Sequence, residues 1–169
     1  MASTLAVTPT QIEGPYWLPG SPQRSNLVEP GIAGEPIVLS GVVRTAKGSP
    51  VEGAWVDVWQ CDGEGVYDIA GYKLRGHQFT DAAGRYRVET VIPVDYEESG
   101  ERDGEPYHFT RTPHIHVKVK ASRRETLTTQ LYLPEQPLNE TDNLFVPDCI
   151  VDLSDGPSGK QARFDFVLA

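Results

Sequence analysis

Gly48-Ser49-Pro50, followed by Ala54-Trp55-Val56-Asp57-Val58-Trp59-Gln60, sets a turn beside seven residues in which Val56 and Val58 fall on one face. A repeat of two is the mark of a half-buried strand. Outward from this segment the pattern recurs. Pro36 to Arg44 reads as the strand before the turn, and Asp81-Ala82-Ala83-Gly84 as a turn into a third strand, Arg85 to Val91. His114 to Ala121, Thr126 to Leu133 and Arg163 to Leu168 read as three more, and no long stretch has a helical period. Short strands at this spacing predict an all-β chain folded as a two-sheet β-sandwich with long functional loops. Those loops are Pro15 to Glu35, Asp62 to Gln78, Pro93 to Pro113 and Pro134 to Pro147, all rich in Gly, Pro and charge.

A chain of 169 residues is the size of one domain. We expect an amino-terminal arm over residues 1–35 and the sandwich core over 36–169. The formal charge of -9, with no basic run, excludes a nucleic-acid surface. No basic segment leads into an apolar run at the start, and no stretch of about 18 apolar residues occurs, so a cytoplasmic location and no membrane partner are expected. Cys61 and Cys149 lack a Cys-x-x-Cys context and read as reduced thiols, although one bridge between them stays open.

Arg111-Thr112-Pro113-His114-Ile115-His116-Val117-Lys118-Val119 is the sharpest chemical signal. In a strand His114 and His116 project side by side, while Ile115, Val117 and Val119 face apolar packing. Two readings stay open at this point: a metal-binding pair, or two histidines on a solvated face. Zinc is disfavoured, because His77, His108 and two distant cysteines do not assemble into its usual ligand patterns. Tyrosine binds poorly to most ions because its phenol ionises near pH 10, but a ferric ion favours phenolate oxygen. Tyr67, after the strand AWVDVWQ, and Tyr96, after RYRVETV, lie in loops suited to present such groups.

The strings LSGVVRTAKGSPVEGAWVDVWQCDGEGVYD, LRGHQFTDAAGRYRVETVIPVDY, RTPHIHVKVKA and LTTQLYLP occur in the order and spacing of the intradiol ring-cleavage dioxygenases, the family of protocatechuate 3,4-dioxygenase, which this chain resembles over most of its length. TPTQIEGPY, Thr8 to Tyr16, is similar to the family's amino-terminal arm. The resemblance implies non-haem Fe(III) held by Tyr67, Tyr96, His114 and His116. It also implies cleavage of a catechol between its two hydroxyl-bearing carbons by O2, giving a cis,cis-muconate. Arg111 is then expected on the substrate side, stabilising developing anionic charge, and Gln130 in the pocket wall. Tyr96 doubles as an acceptor of a catechol proton. The chain shows no counterpart of the helical extension of the catechol 1,2-dioxygenase branch, which points to a protocatechuate-like substrate. Lys73, Arg75, His77, Arg102 and His108 are candidates to meet its carboxylate, with Tyr16 as a hydrogen-bond donor. Glu97 to Glu105 departs from the family pattern as an acidic insertion. Family habit implies a homo-oligomer or pairing with a related chain.

VVRTAKGSPVEGAWVDV followed by TDAAGRYRV also looks like the transthyretin-like β-sandwich modules, which bind partners and catalyse nothing. Such a module has no need of paired histidines, two loop tyrosines and the preceding Arg111.

Overall fold

Ile37, Leu39 and Val43 point inward from β1 (Pro36–Thr45), which organises the first sheet. It pairs antiparallel with β4 (Arg85–Val91), and parallel with β10 (Gly159–Arg163) and β11 (Phe166–Leu168). β9 (Asp152–Gly156) closes this sheet against β10. The second sheet is antiparallel throughout, in the order β3 (Arg75–Phe79), β2 (Trp55–Trp59), β7 (His114–Lys120), β8 (Leu127–Tyr132). The computed structural model describes residues 4–169.

Val56 and Val58 of β2 meet Ile115, Val117 and Val119 of β7 and the inner residues of β1 and β4 in one buried cluster. Each fully buried aliphatic side chain contributes about 1.5–3 kcal/mol by leaving water, so the period-two valines and isoleucines hold the two sheets together. The expected two-sheet sandwich is therefore the fold. Both cysteines are free and buried. Among the described residues no helix is long and apolar enough to cross a membrane.

Three expectations need correction. The Pro93 to Pro113 loop contains a hairpin, β5 (Tyr96–Arg102) with β6 (Glu105–Arg111), so the acidic insertion is largely two paired strands. Its two-residue turn is Asp103-Gly104, both at positive φ (54° and 84°), the conformation a tight hairpin demands. β3 occupies the end of the expected Asp62 to Gln78 loop. The closing strand divides in two: β10 ends at Arg163 and pairs with β9, whereas β11 begins at Phe166. β3, β5, β6, β9 and β10 are too polar for hydrophobic alternation to reveal them.

Candidate active site

The face of the second sheet turned away from the core carries the site. Register places Trp59 of β2 opposite His116, and His116 and His114 opposite Gln130 and Tyr132 of β8. Because cross-strand partners share a face, Trp59, His114, His116, Gln130 and Tyr132 form one polar and aromatic patch. The amino-terminal arm covers part of it. Gln11 Nε2 donates to Thr129 Oγ1 and to the Gln130 carbonyl, both at 2.9 Å, and Gln130 Nε2 donates to the Ile12 carbonyl at 3.1 Å.

Four of the expected ligands converge here. His114 Nε2 lies 3.1 Å from His116 Nε2 and 3.3 Å from Tyr96 Oη. The Tyr67 ring stands edge-on to Tyr96 at 5.3 Å between centroids and 6.3 Å from the His116 ring. His114 Nδ1 donates to the Thr112 carbonyl at 2.7 Å, because a carbonyl only accepts. That bond fixes the tautomer and leaves a lone pair on Nε2, aimed at the other donors. Burial, reinforced by the Arg111 charge, lowers the His114 pKa to about 3, so the ring is neutral. Burial holds His116 well below its usual value, with His114 next in effect. Trp59 stacks on His116 at 4.8 Å and 8°.

Tyr67 Oη and His116 Nδ1 are buried with no partner. A buried polar atom left unpaired costs about 1–3 kcal/mol, so such atoms are rare without a purpose. Burial raises both phenol pKa values, Tyr67's strongly. Only a strong local positive charge would ionise these phenols. Among the described residues no three His, Cys, Asp or Glu side chains gather as a metal site. A cation at this point therefore takes its oxygen from tyrosine. Two neutral imidazoles and two phenols suit a hard trivalent ion, and the residues fit ferric iron.

Gly14 of the arm lies against the His116 ring, where a Cβ would stand in ordinary contact 3.4 Å from Cε1, so it is its φ of +74° that favours glycine. Tyr16, two residues on, stacks on Tyr67 at 4.4 Å and 20° and meets Tyr96 edge-on at 6.3 Å.

Arg111 is 1% exposed. Its Nε donates to Asp142 Oδ2 at 3.0 Å and its Nη2 to Gln130 Oε1 at 2.5 Å. Asp142 Oδ2 also accepts from Thr112 N at 3.0 Å. Burial works against the charged guanidinium, but Tyr96 and Asp142 outweigh it and raise its pKa. Gln130 thus acts as a brace between Arg111 and the arm.

The expected carboxylate contacts do not gather here. His108 is exposed on β6, its Nδ1 2.7 Å from Ser99 Oγ and its Nε2 4.0 Å from Glu97. His77 sits 3.0 Å from Ser21 Oγ, which donates to Asp57. Arg102 lies over the Tyr107 ring. Arg75 is buried and spends Nε and Nη2 on the Asp68 carbonyl, one residue beyond Tyr67, with Nη1 unpartnered. It braces the Tyr67 loop. Sequence reasoning missed Asp142 and Trp59. Trp59 was readable, since alternation in β2 sets it opposite Val56 and Val58.

A dioxygenase family profile matches residues 12–169. The chain is 34% identical over 172 residues to chlorocatechol 1,2-dioxygenase of Pseudomonas putida, covering 93% of this chain and 66% of that one. It is 33% identical over 156 residues to catechol 1,2-dioxygenase of Pseudomonas sp. (strain EST1001), covering 82% and 51%. It therefore spans about half to two thirds of the length of these curated relatives. Hydroxyquinol 1,2-dioxygenase of Rhodococcus opacus is 30% identical, covering 96% of this chain and 64% of that one. Among solved structures, the dioxygenase domain of a dioxygenase and carbohydrate-binding protein fusion from the cellulolytic bacterium Streptomyces sp. SirexAA-E superposes with TM-score 0.83 at 42% identity, covering 96% of this chain and 98% of that one. These relatives are named for catechol, chlorocatechol and hydroxyquinol, and lend the expected protocatechuate-like substrate no support. With the family pattern matched from residue 12 to residue 169, on a sandwich shared with solved dioxygenases, the chain belongs to the intradiol ring-cleavage dioxygenases.

Proposed function

We propose that this chain is a non-haem Fe(III) intradiol dioxygenase that cleaves a catechol between its hydroxyl-bearing carbons with O2, yielding a cis,cis-muconate. The observation that carries the reading is the convergence of Tyr67, Tyr96, His114 and His116, with Tyr67 Oη buried and unpartnered. These four residues would hold the iron. Bound there, iron would draw electron density from a chelated catecholate and make the ring reactive toward O2.

The protein's own groups position, neutralise and exclude water. A catechol binding through both oxygens would release two protons, the Tyr96 phenolate oxygen accepting one of them as a general base and solvent hydroxide taking the other as water. Arg111, fixed by Asp142 and Gln130, supplies a positive charge where anionic character develops on the ring. Tyr16, stacked on Tyr67, supplies an aromatic wall for a planar substrate and keeps the site dry. Arg75 holds the backbone beside Tyr67 as a positioning residue. The partners are a small aromatic diol and O2, within a homo-oligomer or beside a related chain.

The test is an anaerobic visible spectrum of iron-loaded protein titrated with catechol, hydroxyquinol and protocatechuate, then opened to air. A tyrosinate-to-iron band that shifts with a catechol and collapses as muconate absorbance rises is the expected result. Iron-replete protein with no such band would remove Tyr67 and Tyr96 as ligands.

A further inference from the structure

Backbone pairing ties the amino-terminal arm to the second sheet on either side of the site and skips the stretch between. Gln11 N donates to the Thr128 carbonyl at 2.7 Å, and the Pro22 carbonyl accepts from His77 N at 2.9 Å. Among the described residues no backbone-to-backbone hydrogen bond holds residues 12–21. That interval contains Gly14 and Tyr16, the arm residues that lie against the rings of His116 and Tyr67. Side chains must therefore fix it.

Asp57 of β2 and Lys118 of β7 are cross-strand partners. Parity puts them on the outer face, one row from Trp59 and His116. Trp17 sits on this pair. Its Nε1 donates to Asp57 Oδ2 at 3.0 Å, and the Lys118 ammonium stands 3.6 Å from the centre of its ring, a cation–π contact. Opposite charges thus grip the indole by its polar edge and by its face. Lys118 also pairs with Glu13, so the arm is bound on both sides of Gly14 and Tyr16. Ser21 Oγ donates to the other Asp57 oxygen at 2.7 Å. With its single proton given to Asp57, that hydroxyl accepts from His77 Nδ1 at 3.0 Å. Asp57 is 2% exposed, so little water competes for the two charge-assisted bonds it accepts from the arm.

We propose that Asp57 and Lys118 are positioning residues: by clasping Trp17 they seat Tyr16 against Tyr67 and so build the arm into the wall of the catechol site. With the clasp open, Tyr16 leaves Tyr67, a planar substrate loses an aromatic surface and the site takes in water. The four proposed iron ligands stay on their own elements. This deepens the dioxygenase reading and rests on it.

The test compares the full chain with Trp17→Phe, Asp57→Leu and Asp57→Asn. Trp17→Phe keeps a ring beneath Lys118 and deletes only the N–H, whereas Asp57→Leu deletes both acceptors. The amide of Asp57→Asn still accepts from Trp17 and can donate to Ser21. Chymotryptic cleavage after residues 16 and 17 is timed in metal-free protein. Catechol affinity is measured by calorimetry on iron-loaded protein without O2, and KM and kcat are taken separately from O2 uptake. Trp17→Phe should speed cleavage about 10-fold, the worth of one hydrogen bond to a charged group, and Asp57→Leu more. Both should weaken catechol about five-fold or more as the seated arm becomes a minor population, raising KM while kcat and iron content stay within about two-fold. Asp57→Asn should restore most of the loss. Trp17→Phe, which alters the arm and leaves the core intact, overturns the proposal if it lowers the melting temperature without weakening catechol; so does Asp57→Asn if it behaves no better than Asp57→Leu. If cleavage and catechol affinity respond as expected but no catechol drives O2 uptake in any of the proteins, the dioxygenase reading falls and the clasp stands. If the original protein consumes O2 with catechol and Trp17→Phe matches it in cleavage rate and KM, the dioxygenase reading stands and the clasp falls.

Discussion

From His114 to Val117 the two faces of β7 are equally buried and physically opposite. Ile115, Val117 and Val119 are each 0–1% exposed on the inner face, where burial stabilises the fold. His114 and His116 are each 1% exposed on the outer face, where burial strips polar rings of water and leaves His116 Nδ1 without a partner. One strand thus carries both the core that keeps the chain folded and a patch that costs stability in the metal-free state. Polar groups so placed are retained for chemistry rather than for folding.

The sharpest way to break this contrast is at Arg111. Replacing it by Met strands the buried Asp142 carboxylate, and we expect a loss of about 3–5 kcal/mol in urea unfolding. Adding Asp142→Leu should recover at least half of that loss. No recovery would mean that the pair contributes net attraction, and the outer face would then count as stabilising. On the inner face Ile115→Ala should cost about 2–5 kcal/mol by leaving a cavity. Protein that still folds should retain iron, because the four proposed ligands are untouched.

Acid offers a gentler probe of the outer face. The unfolded His114 ring takes a proton near pH 6.5 and the folded ring only near pH 3. The unfolded state therefore binds more protons between these values. Stability of the metal-free protein is complete above pH 6.5 and falls as pH drops toward 3, by about 2 kcal/mol at pH 5 from this residue. His114→Phe should flatten that part of the pH profile. A profile with the same slope in both proteins would assign the acid sensitivity to other groups.

His116→Leu sharpens the comparison by its sign. It removes a ring nitrogen that is buried without a partner, so the metal-free protein should gain about 1 kcal/mol, while iron content falls at least about ten-fold for want of a ligand. Loss of stability together with loss of iron would show that stacking on Trp59 outweighs the unpaired nitrogen.

How far the sequence reached follows the same division. Inner-face residues announce themselves by alternation, so β1, β2, β4, β7 and β8 are readable to within a residue or two. The outer-face pair, His114 and His116, comes with them because parity fixes both faces at once. Nothing periodic indicates that Tyr67 and Tyr96 meet that pair, since each arrives on its own connection. That convergence came from the family resemblance. Asp142 lies 31 positions from Arg111 in sequence, and only the folded chain joins them. His108 looked equivalent to Arg75 as a loop cation, yet hairpin parity turns it outward to Ser99.

The β5–β6 hairpin is where the reading failed and where the smallest effect should be seen. Its strands read Tyr-Glu-Glu-Ser-Gly-Glu-Arg and Glu-Pro-Tyr-His-Phe-Thr-Arg, with too few apolar residues for alternation to register. Asp103-Gly104 was the surviving signal, a pair suited to a two-residue turn with both φ angles positive. Gly104 has open space where a Cβ would stand, so the cost of Gly104→Ala comes from its φ of +84° alone, about 1 kcal/mol. That cost should appear locally, as roughly five-fold faster amide exchange in β5 and β6 with little change in the global melt. The same substitution should leave the tyrosinate-to-iron band in place. A shift in that band would instead tie Tyr96 to the hairpin tip, and the ligand set would then extend its dependence along β5 to the turn.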